Sequence, residues 1–243
     1  MSASTPWQRT RVQAAWETRL LLRNGEQLLL TIVIPVGLLL GLTLTNVIVQ
    51  TSGPTRVPQA LATVICVSVI SAAFTSLAIA TAFERRSGAL RFLGTTPLSR
   101  SELLGGKVLA TVAVTAVSLA IVCIVGLRPV PGSAWAVPAV LIGMATFGAW
   151  GMALAGLLRA EAVLAVANGI FLVLILFGGV VIPADSLPGP LSTLAGLLPS
   201  GALADCLTAA LVDGSAPSLL SIGVLAVWLA AGTLVATRAF RWS

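Results

Sequence analysis

The sequence predicts an all-α, polytopic membrane protein with six transmembrane helices, and three observations carry that prediction. Of its 243 residues, 57% are hydrophobic and only 9% charged, with a mean hydropathy of +1.03; a soluble domain carries about 25% charged residues. Uncharged runs long enough to cross roughly 30 Å of hydrocarbon recur along the whole chain. The basic residues crowd into alternate gaps between those runs, as a membrane topology requires. No soluble fold of this size could hide so much apolar surface, so lipid must solvate most of it.

The first segment, 1–26, lacks the apolar stretch of a cleaved signal. At about 100° per residue, Arg9, Arg19 and Arg23 share one face, with Trp7, Ala14, Thr18, Leu21 and Leu22 opposite. This predicts an interfacial helix lying along the membrane, although Arg11 and Trp16 fall off the pattern. A solvated basic tail is the alternative.

Transmembrane helices are expected at 27–49, 59–82, 104–127, 135–158, 162–183 and 217–238. A seventh apolar run, within 184–216, is punctuated by Pro188, Gly189, Pro190, Gly196, Pro199 and Gly201. A continuous helix there would lose backbone hydrogen bonds, so an extracellular re-entrant helical hairpin is expected after the fifth span. Charge supports that count. With six spans one side receives twelve basic residues, and the other only Arg56 and Arg128. That asymmetry places both termini in the cytoplasm; a seventh span would put Arg238 and Arg241 outside. Trp7, Trp16, Trp135 and Trp242 lie near the expected interfaces, whereas Trp150 and Trp228 fall within spans and are expected to pack.

Composition excludes several functions. Histidine is absent, and Cys66, Cys123 and Cys206 form neither a disulfide framework nor a metal-ligand spacing. No ionisable residue sits near the middle of a span, which argues against ion-coupled transport and intramembrane hydrolysis. Gly106-Lys107 is followed by Val108, with Ser101 where a phosphate-binding loop needs its first glycine, so no ATPase site is present. The basic residues form no soluble nucleic-acid face. Catalytic residues, a metal site and a resident cofactor are therefore not expected in this chain. The polar residues inside spans are neutral, and most are read as interhelical or local hydrogen-bond groups. Asn168 stands apart, because an amide is not expected to satisfy itself locally as a hydroxyl does. Gly37/Gly41 and Gly151/Ala155 have the small-residue spacing that permits close helix approach.

The cytoplasmic loop 83–103 is the most informative segment. Glu84 to Leu93 is amphipathic, with Ala89, Leu90 and Leu93 apolar and Arg85, Arg86 and Arg91 charged, and Gly94 and Pro97 end it. Ser99-x-x-Glu102 then forms a capping box that launches the third span, with Lys107 near the interface. A short helix, a break and a fresh cap suit a docking element better than a simple loop.

These residues carry a resemblance. Glu84-Arg85-x-x-Gly88-x-Leu90-x-x-Leu93, followed by Pro97-Leu98-Ser99-Arg100-x-Glu102-Leu103 and Lys107, resembles the cytoplasmic loop of ABC-2-type transporter permeases (type V fold). Gly178-Gly179, Pro183, Leu187-Pro188 and Leu197-Leu198-Pro199 resemble that family's extracellular re-entrant region. The resemblance implies a six-span half of an exporter, paired with a second half from the same or a sister chain. Separate ABC ATPase subunits would bind ATP and Mg. It also implies a coupling helix seated on the ATPase through Glu84, Arg85, Arg86, Gly88, Leu90, Arg91 and Leu93. A substrate path between the second and fifth spans would involve Phe74, Thr75, Asn168 and Phe171. An apolar path without fixed charge suits a hydrophobic or amphiphilic cargo, drug or lipid-like. Arginine-rich composition with a single lysine suggests a GC-rich bacterial genome and hence a bacterial plasma membrane. The competing readings are a secondary transporter or channel, and a scaffold subunit of a membrane complex that uses no ATP.

Overall fold

The computed structural model describes residues 5–23, 25, 29–44, 55–89, 99–126, 133–181 and 189–239, and among these there is no strand. The helices in chain order are α1 (Pro6–Arg23), α2 (Ile34–Leu44, entered through a π-helical turn at Leu29–Val33) and α3 (Arg56–Arg86). They continue with α4 (Arg100–Gly126), α5 (Ala136–Leu157), α6 (Ala160–Phe177), α7 (Gly189–Leu197), α8 (Pro199–Leu211) and α9 (Leu219–Ala239). Five helices, α3, α4, α5, α6 and α9, are long and apolar enough to span a membrane. The described part of the first expected span is shorter, Thr31–Leu44.

The re-entrant reading rests on α7 and α8. They pass the apolarity test only as a pair and are bent by 84° at the break between them. Their 9 and 13 residues reach only about 13 and 20 Å at 1.5 Å per residue, too little to cross. The break is local chemistry: Leu198 is extended (φ −78°, ψ 146°) and Pro199 opens α8 at the position where its missing N–H costs nothing. Gly201 permits the fold-back, since a Cβ there would lie 2.0 Å from the Ala195 carbonyl oxygen. α8 is then packed against α3, α5 and α9, with Ala202, Leu203, Cys206 and Leu207 fully enclosed.

α3 is the axis of the bundle, and α6 and α9 are its most exposed spans. Its 31 residues extend about 46 Å, roughly 15 Å more than the hydrocarbon needs. Midway, Ser71–Ser76 is π-helical. There α5 comes closest, because a Cβ on Gly151 would stand 2.8 Å from the Phe74 carbonyl oxygen; the Gly151/Ala155 pair is used as expected. A Cβ on Gly37 or Gly41 would meet nothing within 4 Å among the described residues. Trp150 and Trp228 pack edge to face at 5.5 Å between α5 and α9, as expected of packing residues. Trp150 Nε1 donates to the Trp228 carbonyl (3.0 Å), and Trp228 Nε1 to that of Leu197 (2.9 Å), tying the re-entrant pair to α9.

Candidate functional site

α1, the C-terminal end of α3 and the N-terminal end of α4 converge on a buried ionic cluster. The Ser99–Glu102 box forms as its spacing predicts: the Ser99 amide donates to Glu102 Oε2 (2.7 Å) and the Glu102 amide to Ser99 Oγ (3.3 Å). The same carboxylate receives the Arg9 guanidinium as a fork, Nη2 to Oε1 at 2.7 Å and Nε to both oxygens at 3.1 and 3.2 Å. Such forked contacts fix orientation as well as charge. One side chain thus caps α4 and pins α1 across it.

Gly106 lets the two helices touch, since a Cβ there would lie 2.7 Å from Gln13 Cγ. One residue on, Lys107 is only 3% exposed. Its ammonium donates to Glu17 Oε1 on α1 (2.7 Å) and Glu84 Oε2 on α3 (2.6 Å). Gln13 Nε2 donates to the same Glu17 oxygen (2.9 Å). Two carboxylates therefore share one buried ammonium, and three helices meet at it.

The neighbouring arginines face inward as well. Arg85 Nη1 donates to the Gly156 carbonyl (2.8 Å) and Nη2 to that of Leu158, capping the end of α5. Arg86 pairs with Glu161 at the start of α6, with both side chains well exposed. Gly88 has φ +80° and ends α3, a conformation that glycine adopts without the Cβ penalty.

This changes the reading of the expected coupling residues. Glu84, Arg85 and Arg86 do not open a separate amphipathic helix; they are the last turn of α3, which runs on toward that glycine. Glu84 and Arg85 are engaged inside the protomer. Leu90, Arg91 and Leu93 lie outside the described residues. Lys107 is the centre of the cluster. Glu17 was not singled out by sequence. The available signal was the periodic face Thr10, Gln13, Ala14, Glu17, Leu21, which is the face that α1 turns to α4 and the cleft.

Two adjoining chambers with a shared wall rise from the cluster between α2, α3 and α4. The lower, ≈ 50 Å³, is bounded by Glu17, Glu84 and Lys107 below and Thr81, Thr111 and Thr115 above. The upper, ≈ 240 Å³, is lined by Ile34, Leu38, Val67, Ser71 and Phe171 among others. Thr31, Ala72, Ser76 and Thr115 line both. Thr31 belongs to the first π-helical turn and Ser71, Ala72 and Ser76 to the second, so both irregular segments face this space.

The four expected path residues are not brought together. Phe74 and Thr75 are buried, and the Thr75 hydroxyl has no partner. Asn168 is exposed on α6, and its amide donates to the Leu164 carbonyl one turn back (2.8 Å). It does satisfy itself locally, against expectation. Phe171 alone reaches the upper chamber. The hydroxyls divide as expected: Thr43 and Ser68 bond back to Leu39 (2.9 Å) and Val64 (2.7 Å), whereas Ser118 bridges to the Thr31 carbonyl on another helix. Among the described residues no three His, Cys, Asp or Glu side chains gather to hold a metal ion.

No curated protein matches the chain. The family model described as ABC-2 type transporter matches residues 10–212, from α1 through the re-entrant pair. The chain belongs to the ABC-2 type transporter family, as a membrane-spanning permease component.

Proposed function

We propose that this chain is one permease half of an ATP-driven exporter in a bacterial plasma membrane, with both termini cytoplasmic. Two halves, from the same or a sister chain, pair and move a hydrophobic or amphiphilic cargo outward. Separate ATPase subunits bind ATP and Mg and dock on the segment 83–103. The observation that carries this reading is the convergence on that segment. Its ends are the end of α3 and the cap of α4, and both are locked to α1 by Glu84–Lys107–Glu17 and Arg9–Glu102. A displacement of the segment is therefore delivered to three helices together. The inward engagement of Glu84 and Arg85 leaves Leu90 and Leu93 as the apolar anchors for the ATPase, with Arg91 at the rim. The face for the second half includes the α2 stripe Val33, Gly37, Leu40 and Leu44, which is exposed in the single chain and has small-residue spacing. Asn168 and Phe171 of α6 support a path beside that face, while the buried Phe74 and Thr75 would shape it from behind.

The test is transport by the full permease–ATPase complex in proteoliposomes, together with ATPase retention on purification. Buried anchors each cost about 2 kcal/mol or more on truncation, while rim charges matter less. Leu90→Asp is expected to lose partner and transport at unchanged insertion, and Arg91→Ala to keep both. Wild-type retention and transport in Leu90→Asp would refute the docking role.

A further inference from the structure

We propose that the two-chamber cleft within each protomer, between α2, α3 and α4, is a binding site for a cationic amphiphile. Its protonated amine would sit at the Glu17–Glu84 end and its apolar part in the upper chamber. The proposal deepens the reading of an amphiphilic cargo; it relies on that reading for the fate of the ligand, not for its binding.

The charge balance points to a cation. Glu17 and Glu84 share the single ammonium of Lys107 at 2.7 and 2.6 Å. With all three ionised the cluster carries one surplus negative charge at the mouth of the lower chamber. Arg9 is engaged by Glu102, Arg85 turns to the end of α5, Arg19 lies over the Trp16 ring, and among the described residues no arginine lines the lower chamber. An added ammonium is thus the ion that the mouth favours, whereas a carboxylate or phosphate would meet like charge.

The second, independent observation is Thr115. It is 1% exposed and lines both chambers, and its hydroxyl has no hydrogen-bond partner. A buried polar atom left unpaired is costly, so this hydroxyl favours an occupant able to bond it at the junction. Above it the walls turn apolar, with Ile34, Leu38, Val67 and Phe171. An apolar cavity of about 150 Å³ holds a benzene ring, so the ≈ 240 Å³ chamber accommodates a hexyl chain or a single ring. The site is amphiphilic along its own axis, with carboxylates at the cytoplasmic end, hydroxyls at the junction and hydrocarbon beyond. Both π-helical segments border it, and such segments recur at functional sites because their backbone ladder is locally relaxed.

The experiment uses the full chain in phosphatidylcholine nanodiscs, without ATPase or nucleotide. The probes are a hexyl chain carrying a diazirine and a primary ammonium, and its neutral alcohol counterpart at equal membrane-bound concentration. Labelled positions are mapped by mass spectrometry. The ammonium probe is expected to label Ser68–Ser76 and Ala110–Thr115 at least tenfold more than the alcohol, in competition with unlabelled hexylammonium. Glu84→Gln is expected to reduce that preference below threefold. Thr115→Met, which fills the junction without touching the ions, is expected to abolish both signals at an unchanged elution profile. Equal labelling by the two probes, labelling confined to α6 and α9, or full labelling of Thr115→Met overturns the proposal. None of these outcomes depends on ATPase binding or export, so the site and the exporter reading fail separately.

Discussion

Lys107→Met removes the one cation that three helices share, and the structure sets the size of the effect. The ammonium is 3% exposed and bonded to two carboxylates, Glu17 at 2.7 Å and Glu84 at 2.6 Å. Methionine preserves the volume of the stem, so packing changes little and the loss is electrostatic. What remains is two carboxylates facing each other, one of them only 13% exposed. Removing one partner of a buried ion pair costs about 3–5 kcal/mol, most of it the stranded charge rather than the lost attraction. Glu84→Gln is milder, about 1–2 kcal/mol, because Lys107 keeps Glu17 and the amide oxygen still accepts. The exposed Arg86–Glu161 pair is the internal control: surface pairs contribute about 0–1 kcal/mol, so Arg86→Ala should leave stability unchanged.

The assay is the melting of the monodisperse fraction in detergent, on variants whose insertion has been verified by reporter fusion. The expected order of stability is wild type, equal to Arg86→Ala, then Glu84→Gln, then Lys107→Met. Adding Glu84→Gln to Lys107→Met should recover part of the loss, because it removes one of the stranded charges; contacting residues of this kind are not additive. If Lys107→Met melts with Arg86→Ala, or the double variant is the sum of the singles, the cluster is not a buried structural centre.

Three further outcomes follow from the same geometry. Arg9→Met breaks the fork to Glu102, and trypsin should then cleave after Arg11 and Arg19 about tenfold faster, a loss of about 1.4 kcal/mol against local opening of α1; unchanged cleavage would show that α1 is held otherwise. Gly201→Val places side-chain atoms on the Ala195 carbonyl, 2.0 Å from the Cβ position; since neither backbone can yield, the variant should fail to give a monodisperse protein, whereas Gly196→Ala, with open space around it, should behave as wild type. Cys206 is a free thiol and 1% exposed, so a water-soluble maleimide should modify it only after denaturation; rapid labelling in intact cells would contradict the packing of α8.

The features legible in the sequence were those fixed locally or imposed by the solvent. Bilayer thickness dictates span length, so α3, α4, α5, α6 and α9 stand where apolar runs predict them. The capping box is a matter of three residues, and Ser99 and Glu102 made it. Pro199 and Gly201 announced the break of the re-entrant pair. The cluster was not legible, because it joins residues distant in sequence: Lys107 lies 90 positions from Glu17. Charges at a membrane edge read by default as solvated or partner-facing, so the inward contacts of Glu84 and Arg85 were not anticipated. The helix α3 outruns its apolar stretch for a related reason. Arg85 and Arg86 mark where lipid ends, not where the helix ends, and the helix stops only at Gly88. Nothing in Ser71–Ser76 distinguishes a π-helical turn from an ordinary one.

The arrangement constrains how any load on the segment 83–103 can propagate. Glu84 and Glu102 stand just inside its two ends, one tied to Lys107 and the other to Arg9. Separating α3 from α4 there would strand a buried charge, at a cost well above thermal energy. The ends must therefore move together, carrying α1 with them. Farther in, α3 is gripped by α5 at Gly151, so a rigid tilt of the whole rod is opposed. That second restraint falls on the π-helical segment Ser71–Ser76 itself, since Gly151 meets the Phe74 and Ala73 carbonyls. That segment is also one wall of the upper chamber. A displacement of segment 83–103 carried along α3 thus meets the wall of the cleft before it reaches the part of α3 on which α8 is packed.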